Sequence, residues 1–128
     1  MEPISLNAAL ASFTDHWSPR IVTAVNDYDV RVAKVEGEHV WHVHDHTDEF
    51  FLVLAGELHI GLREPSGERT VVLPKGSLFT VPRGTEHKPY APVPTEILLL
   101  EPTGTLTVGD RHDPVPDHVD ATTGHALS

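Results

Sequence analysis

Short apolar runs separated by glycine and proline make up residues 20–102 of the chain. Each run has the length of a short strand, and most are bounded by residues that favour turns. A helix across this region would have to tolerate interior prolines and glycines, which cost about 3 and 1 kcal/mol each. The pattern therefore predicts an all-β fold with strands at 20–25, 30–35, 39–44, 50–55, 58–62, 70–73, 78–81, 87–91 and 97–100.

The two ends of the chain differ from this pattern. Leu6, Leu10 and Phe13 have roughly helical spacing, which predicts a short helix over residues 7–13 with Asn7 as its N-cap. The C-terminal segment, by contrast, contains only scattered apolar positions and cannot bury much surface. We predict an N-terminal extension over residues 1–19 and one domain over residues 20–110. Residues 111–128 are predicted to form a C-terminal segment that is a flexible tail or a strap over the domain.

Length, charge and cysteine content limit the classes of function. The chain has 128 residues and a mass of 14.1 kDa, which is enough for one domain. Its 9 basic and 19 acidic residues give a net charge of −10, which disfavours nucleic acid and anionic membranes as partners. The absence of cysteine excludes disulfides, iron–sulfur clusters and thiolate metal sites. No apolar run resembles a signal peptide or a membrane span, so we expect a cytoplasmic protein.

The chain contains 10 histidines, and the placement of two of them indicates a metal site. His42 and His44 lie two residues apart, so both imidazoles leave the same face of a strand. Residues 45–48 are polar and turn-prone, so Glu49 can return beside the histidines at the start of the next strand. Two imidazoles and a carboxylate with open positions suit Fe(II) and related metals. The simpler interpretation is a histidine-rich strand with a solvated glutamate.

A further histidine follows a tight turn later in the chain. Gly76 and the turn at 82–84 bracket one short strand, and His87 opens the next. A histidine just after a tight turn lies at the rim or the inner wall of a barrel, where it can complete a ligand set. The candidate metal ligands are His42, His44, Glu49 and His87.

The spacing of these residues resembles the two sequence motifs of the cupin superfamily. The first motif occurs here as Gly37, His42, His44, Glu49 and Gly56, and the second as Gly76, Pro82, Gly84 and His87. Gly37 stands one residue closer to the histidine pair than in the usual motif, and Ala91 replaces the asparagine that ends the second motif. The resemblance extends over about residues 20–102 and is greatest to short single-domain bacterial cupins labelled as similar to mannose-6-phosphate isomerase.

This resemblance implies both a fold and a cofactor. The fold is a cupin barrel, also called a double-stranded β-helix or jelly roll, here with a short N-terminal helix. The cofactor is one divalent transition metal (Fe, Mn, Ni, Zn or Cu) held by three histidines and one glutamate. A small organic substrate or ligand is expected to bind at that metal.

This resemblance implies two classes of function. The first is a metal-dependent enzyme of the dioxygenase, isomerase or lyase type, with His46 and Tyr90 as candidate catalytic groups. His46 is alternatively a further ligand or a solvated residue of the turn. The second class is a non-catalytic module that binds a small molecule or a sugar. We interpret four further histidines as surface residues: His59, His112, His118 and His125.

We also expect a homodimer. Strand alternation turns one set of apolar side chains away from the ligand side: Trp41, Val43, Phe50, Leu52 and Leu54. This apolar surface needs cover, which a second subunit can provide. The alternative is that Leu6, Leu10 and Phe13 of the same chain cover it.

Overall fold

The computed structural model of the protein describes residues 1–127, which form one short helix and ten strands. The helix is α1 (Leu6–Ala11). The strands are β1 (Arg20–Val25), β2 (Tyr28–Glu38), β3 (His42–Val43), β4 (Glu49–Ala55), β5 (Glu57–Glu64), β6 (Gly67–Pro74), β7 (Leu78–Val81), β8 (Glu86–Pro102), β9 (Arg111–His112) and β10 (His125–Ala126). The predicted all-β cupin barrel with a short N-terminal helix is confirmed.

The longest strand, β8, is the centre of the barrel. It runs antiparallel to β2, β3, β4 and β5. The outer strands attach to these: β1 pairs with β2, β6 with β5, and β7 with β4. Because one strand contacts four others, residues that are far apart in the sequence meet along its inner face.

The sequence pattern predicts two strands, at 87–91 and 97–100, in place of β8, and this prediction is wrong because β8 runs over Glu86–Pro102. The pairing with β2 passes from Thr95 directly to Ala91, so residues 92–94 lie outside the ladder and are exposed. Proline is tolerated at such positions because no backbone N–H is needed for a ladder hydrogen bond. The unbroken strand brings His87 and Glu101 into the same barrel interior.

Alternation along β4 separates the interior of the barrel from its outer face. Glu49, Phe51 and Val53 are buried, whereas the residue that follows each of them is half-buried. The interior apolar core draws on most of the strands and on the C-terminal segment: Trp17, Ala33, Val35, Val40, Phe51, Val53, Leu58, Ile60, Leu62, Leu73, Val81, Ala91, Ile97, Leu99, Val108 and Val119. Full burial of one such aliphatic side chain contributes about 1.5–3 kcal/mol.

The N-terminal helix covers part of the outer face. α1 begins one residue earlier than predicted and ends at Ala11, and its N-cap is Ser5 rather than Asn7, since the Ser5 side chain accepts a hydrogen bond from the Ala8 backbone N–H. Leu10 packs in a second cluster that includes Leu54. Leu54 is therefore covered by the N-terminal segment of its own chain, which is the alternative to cover by a second subunit. Within residues 1–127, no helix is long and apolar enough to cross a membrane.

Trp41 is covered in a different way. The cluster around α1 does not include it. Instead, the guanidinium carbon of Arg63 lies 3.9 Å from the centroid of its ring, a cation–π contact. Gly61 allows the indole to approach the backbone of β5, because a Cβ there would lie 3.1 Å from Trp41 Cη2. A neighbouring strand of the same chain thus covers this side chain.

The C-terminal segment lies as a strap along the barrel over residues 111–127. β9 pairs with β3, and β10 runs parallel to β1. Val119 is 5% exposed and belongs to the interior core. Of the two alternatives for this segment, the structure contains the strap.

Candidate metal centre

Three elements bring the predicted ligands together. His42 lies on β3 directly opposite His87 at the start of β8. His44 follows β3 by one residue, and Glu49 is the first residue of β4, after the polar turn. All four side chains are buried, with exposures of 1% to 4%. The histidine pair, the returning carboxylate and the histidine after the turn meet as the sequence predicts.

The donor atoms of these four residues lie within 4.8 Å of one another and could hold a metal ion. Glu49 Oε1 is 2.9 Å from His87 Nε2, 3.4 Å from His44 Nε2 and 4.0 Å from His42 Nε2. One carboxylate oxygen therefore faces three imidazole nitrogens. We call these four residues the donor cluster.

Backbone carbonyls orient two of the imidazoles. His42 Nδ1 lies 2.8 Å from the Val40 carbonyl oxygen, and His87 Nδ1 lies 2.9 Å from that of Thr85. If each Nδ1–H donates to its carbonyl, each Nε2 presents its lone pair to the donor cluster. Metal-ligating histidines in proteins are commonly oriented in this way.

His44 provides an independent indication that the cluster fits a metal. Its Nε2 is buried and has no hydrogen-bond partner of good geometry within residues 1–127. A buried polar nitrogen without a partner costs about 1–3 kcal/mol, so such atoms need an explanation. Coordination of a metal by this nitrogen would remove the cost.

The surroundings favour the neutral, ligating form of His42 and the charged form of Glu49, whereas the pKa of His44 is shifted the other way. Burial lowers the pKa of His42 well below its ordinary value, and the neighbouring His87 lowers it further. Burial also lowers the pKa of His44, but the Glu49 carboxylate, whose Oε1 lies 3.4 Å from His44 Nε2, outweighs this effect and raises the pKa overall. Burial alone would raise the pKa of Glu49, yet hydrogen bonds from Glu101, His44 and His87 hold it well below its usual range.

A buried ionic network adjoins the donor cluster, and the sequence analysis missed it. Burial and the charge of Glu49 raise the pKa of Glu101 well above its ordinary value. Arg31, with an exposure of 0%, lies 2.8 Å from Glu101 Oε2 and 3.0 Å from Asp29 Oδ2. Arg31 and Glu101 lie on different strands and meet only because β2 pairs with β8, so no local pattern in the sequence indicates their contact.

Two cavities adjoin the donor cluster. An inner chamber of about 30 Å³ is lined by His39, His42, Glu49, Glu101, Thr107 and apolar side chains of the core. An outer pocket of about 370 Å³ is lined by His44, His46, Thr47, Gly109, Asp110 and residues 102–106. Two members of the donor cluster, His42 and Glu49, line the chamber, whereas His44 lines the pocket. The donor cluster thus lies between the two cavities.

The two candidate catalytic residues lie in different places. His46 is exposed and lines the outer pocket beside His44. Tyr90 is 38% exposed and packs edge-on against His59, whose ring centroid is 5.8 Å away. Tyr90 stands three residues after His87, so strand alternation places the two on opposite faces of β8. The structure therefore does not bring Tyr90 to the donor cluster.

Three imidazoles and one carboxylate converge in the interior of a small β-barrel. The protein therefore belongs to the class of β-barrels with an internal site that could hold a metal ion. The chain belongs to the cupin family, because the family description "Cupin domain" matches residues 28–101. It is 38% identical over 87 residues to "Uncharacterized protein YdbB" of Bacillus subtilis (strain 168), covering 68% of this chain and 74% of that protein.

Solved structures share the fold. A cupin-2 domain containing protein from Shewanella frigidimarina NCIMB 400 is 41% identical, with a TM-score of 0.73 over 77% of this chain and 93% of that chain. Hydroquinone 1,2-dioxygenase from Sphingomonas sp. TTNP3, in complex with 4-nitrophenol, is 20% identical, with a TM-score of 0.68 over 79% of this chain and 32% of that one. At that identity the similarity shows the fold alone.

Proposed function

We propose that this protein binds one divalent transition metal through His42, His44, Glu49 and His87, and that it is an enzyme acting on a small organic molecule. The observation that carries the proposal is the convergence of four buried donor atoms beside an open pocket of about 370 Å³. Small-molecule sites in proteins usually have volumes of about 300–1,000 Å³. The outer pocket is therefore large enough for a metabolite.

The donor set favours a first-row transition metal (Fe, Mn, Ni, Zn or Cu) over Ca or Mg, because imidazole nitrogen suits the former and carboxylate oxygen the latter. When bound, such an ion supplies a Lewis acid or, for a redox-active metal, an electron-transfer centre. The carbonyls of Val40 and Thr85 orient two ligands, and the buried walls of the barrel exclude bulk water from the cluster. His44 stands where the organic molecule enters, and His46 beside it is the candidate for proton transfer.

Metal analysis tests the first half of this proposal. The protein is purified without chelator, and its metals are quantified by mass spectrometry after loading with each candidate ion. We expect about one equivalent of metal for the wild type and none for the double variant His44→Ala/His87→Ala. The matched control is His59→Ala/His112→Ala, which removes two imidazoles outside the donor cluster. Stoichiometric binding by the first variant would show that the assigned ligands are wrong.

Turnover tests the second half. Metal-loaded protein is incubated with a panel of small phenols, sugars and oxo acids, with oxygen uptake and product formation measured in parallel. We expect conversion of at least one compound by the wild type and none by His42→Ala. Saturable binding of a compound without any conversion would favour the alternative, a non-catalytic cupin module for a small molecule or sugar.

A further inference from the structure

The threonines of the outer pocket use their hydroxyl protons inside the protein. Thr103 donates to the Asp29 carboxylate at 2.9 Å, and Thr47 and Thr105 donate to backbone carbonyls at 2.8 and 2.7 Å. All three threonines line the pocket. A hydroxyl has one proton to donate and two lone pairs that accept. Toward a molecule in the pocket, these side chains therefore act as hydrogen-bond acceptors.

Asp110 adds a carboxylate to the same pocket, and two contacts hold it in place. Its Oδ2 accepts a hydrogen bond from the Asp45 backbone N–H at 2.7 Å, and its own backbone N–H donates to the Val43 carbonyl at 2.9 Å. Both partners are chain neighbours of His44, the proposed ligand that lines the pocket. The Asp110 side chain is exposed and keeps acceptor capacity, because a carboxylate has about four lone-pair positions.

The lining of the pocket contains this carboxylate but, among residues 1–127, no lysine or arginine. Arg111, the residue after Asp110, pairs with Asp45 at 2.8 Å and lines a different cavity. His46 contributes an imidazole to the pocket. A positive group of a bound molecule would therefore meet the Asp110 carboxylate and several further acceptors, whereas a negative group would meet the carboxylate without a compensating lysine or arginine.

We propose that the outer pocket selects a small molecule that carries an ammonium group, and that Asp110 is the residue that determines this specificity. An ammonium has three N–H donors, which match the Asp110 carboxylate and the threonine oxygens. A hydroxyl, oxo or carboxyl group of the same molecule binds at the metal beside His44. Phosphate esters and dicarboxylates are disfavoured, because their second negative charge would face Asp110. This inference rests on the proposed function and specifies its substrate class.

Three catechols of similar size, which differ in the charge of one side arm, test the proposal. Dopamine carries an ammonium, 4-ethylcatechol is neutral, and homoprotocatechuate carries a carboxylate. Their adjacent hydroxyls bind iron(III) with a visible charge-transfer band, so titration of the protein, loaded with iron(II) and then oxidised, gives each dissociation constant in the absence of oxygen. The charge selectivity is defined as the affinity for dopamine divided by the affinity for homoprotocatechuate.

Two substitutions change the charge at Asp110. Asp110→Asn removes the charge but keeps an amide oxygen that can accept the Asp45 N–H, and Asp110→Lys reverses the charge. Because one exposed charge pair changes an affinity by about fivefold at most, we expect the charge selectivity to fall about fivefold in Asp110→Asn and further in Asp110→Lys. The matched control is Asp117→Asn, an exposed acid outside the pocket lining, which should leave the selectivity unchanged. The affinity for the neutral catechol should not change in any variant.

Iron content, measured first, separates this inference from the proposed function. A wild type that binds no stoichiometric iron contradicts the proposed function, and the inference falls with it. Stoichiometric iron with equal charge selectivity in the wild type and both Asp110 variants would overturn the inference alone. Tighter binding of homoprotocatechuate than of dopamine by the wild type would also overturn it, as would the absence of a charge-transfer band with all three catechols. Circular dichroism melting identifies a variant that fails to fold, and the other Asp110 variant then decides.

Discussion

His42 and His87 are directly paired across β3 and β8, and the centroids of their rings lie 4.2 Å apart. The two rings are therefore positioned by the pairing of two strands and not by a flexible loop. Both rings are buried beside Glu49, so polar groups occupy part of the barrel interior that apolar side chains could otherwise fill. A bound metal would compensate for this concentration of buried nitrogen atoms, which leads to a prediction about stability.

Metal is expected to stabilise the folded protein. A ligand that binds only the native state raises the free energy of unfolding by about 2.7 kcal/mol at one hundred times its dissociation constant. Thermal unfolding followed by circular dichroism should therefore show a higher melting temperature with zinc than with EDTA. The difference should vanish in His44→Ala/His87→Ala and persist in His59→Ala/His112→Ala. A melting temperature that does not respond to zinc in the wild type would contradict the prediction.

Arg31 is expected to be essential for stability. It pairs with Asp29 and Glu101 in the barrel interior, and its replacement by methionine leaves these buried acids without their cation. Removal of one partner from a buried ion pair typically costs about 3–5 kcal/mol. The matched control is Arg111→Met, because the Arg111 side chain is 71% exposed and solvent screens its pairing with Asp45. Urea unfolding measures both, and similar losses would contradict the prediction.

The sequence predicted the donor cluster because its information is local. His42 and His44 share a strand face, Glu49 follows a short turn, and His87 follows a tight turn that the motif marks. The buried ionic network has no such local signal, since Arg31 and Glu101 meet only through the pairing of β2 with β8. Strand pairing is a property of the whole fold, which explains why the sequence analysis missed it.

The remaining differences also have physical causes. Residues 92–94 contain prolines that indicate a turn. The strand nevertheless continues, since these residues lie outside the ladder, where no backbone N–H is needed for a hydrogen bond. Both Ser5 and Asn7 are suitable N-caps, and only the position of the helix decides between them. The strap contains few apolar residues, yet Val119 reaches the core, and one such contact is too little for a sequence pattern to reveal.

Gly56 is expected to be intolerant of any side chain. Its φ is +83°, and a Cβ would lie 2.6 Å from the Pro94 carbonyl oxygen. Gly84 has a similar φ of +79° but open space around it, so Gly84→Ala is the matched control. The left-handed conformation alone costs about 1–2 kcal/mol for alanine. We expect Gly84→Ala to lose about that much in urea unfolding and Gly56→Ala to lose clearly more; equal losses would show that the close approach is unimportant.

The homodimer stays a prediction. Val72 and Leu78 are 54% and 61% exposed, so apolar surface remains on the single chain after the helix and the strap are in place. Light scattering at micromolar concentration should give a mass of about twice 14.1 kDa. A mass equal to that of one chain would contradict the dimer. If this surface forms the dimer, the variants Val72→Lys and Leu78→Lys should lower the measured mass toward that of one chain. If the protein is a monomer, the same variants leave the mass unchanged.

The strap is expected to depend on one polar contact at its C-terminal end. Asp120 Oδ2 accepts a hydrogen bond from Ser18 Oγ at 2.8 Å and lies 2.7 Å from His125 Nε2. The contact with Ser18 joins the strap to the segment that leads into β1, whereas the contact with His125 lies within the strap. The hydrogen bond with His125, and then that from Ser18, lower the pKa of Asp120 below its ordinary 3.8. The carboxylate is therefore charged at neutral pH, and its contribution is lost only on acidification below about pH 3.8.

Hydrogen exchange measures this contact directly. In Asp120→Ala we expect faster amide exchange over residues 115–127 at pH 7, with little change in the barrel strands. The matched control is Asp117→Ala, an exposed acidic residue of the same strap. Because the Asp120 side chain is 41% exposed, global unfolding should change by about 1 kcal/mol at most. The difference between wild type and Asp120→Ala should shrink as the pH falls below about 3.8, and equal exchange at pH 7 would show that other contacts hold the strap.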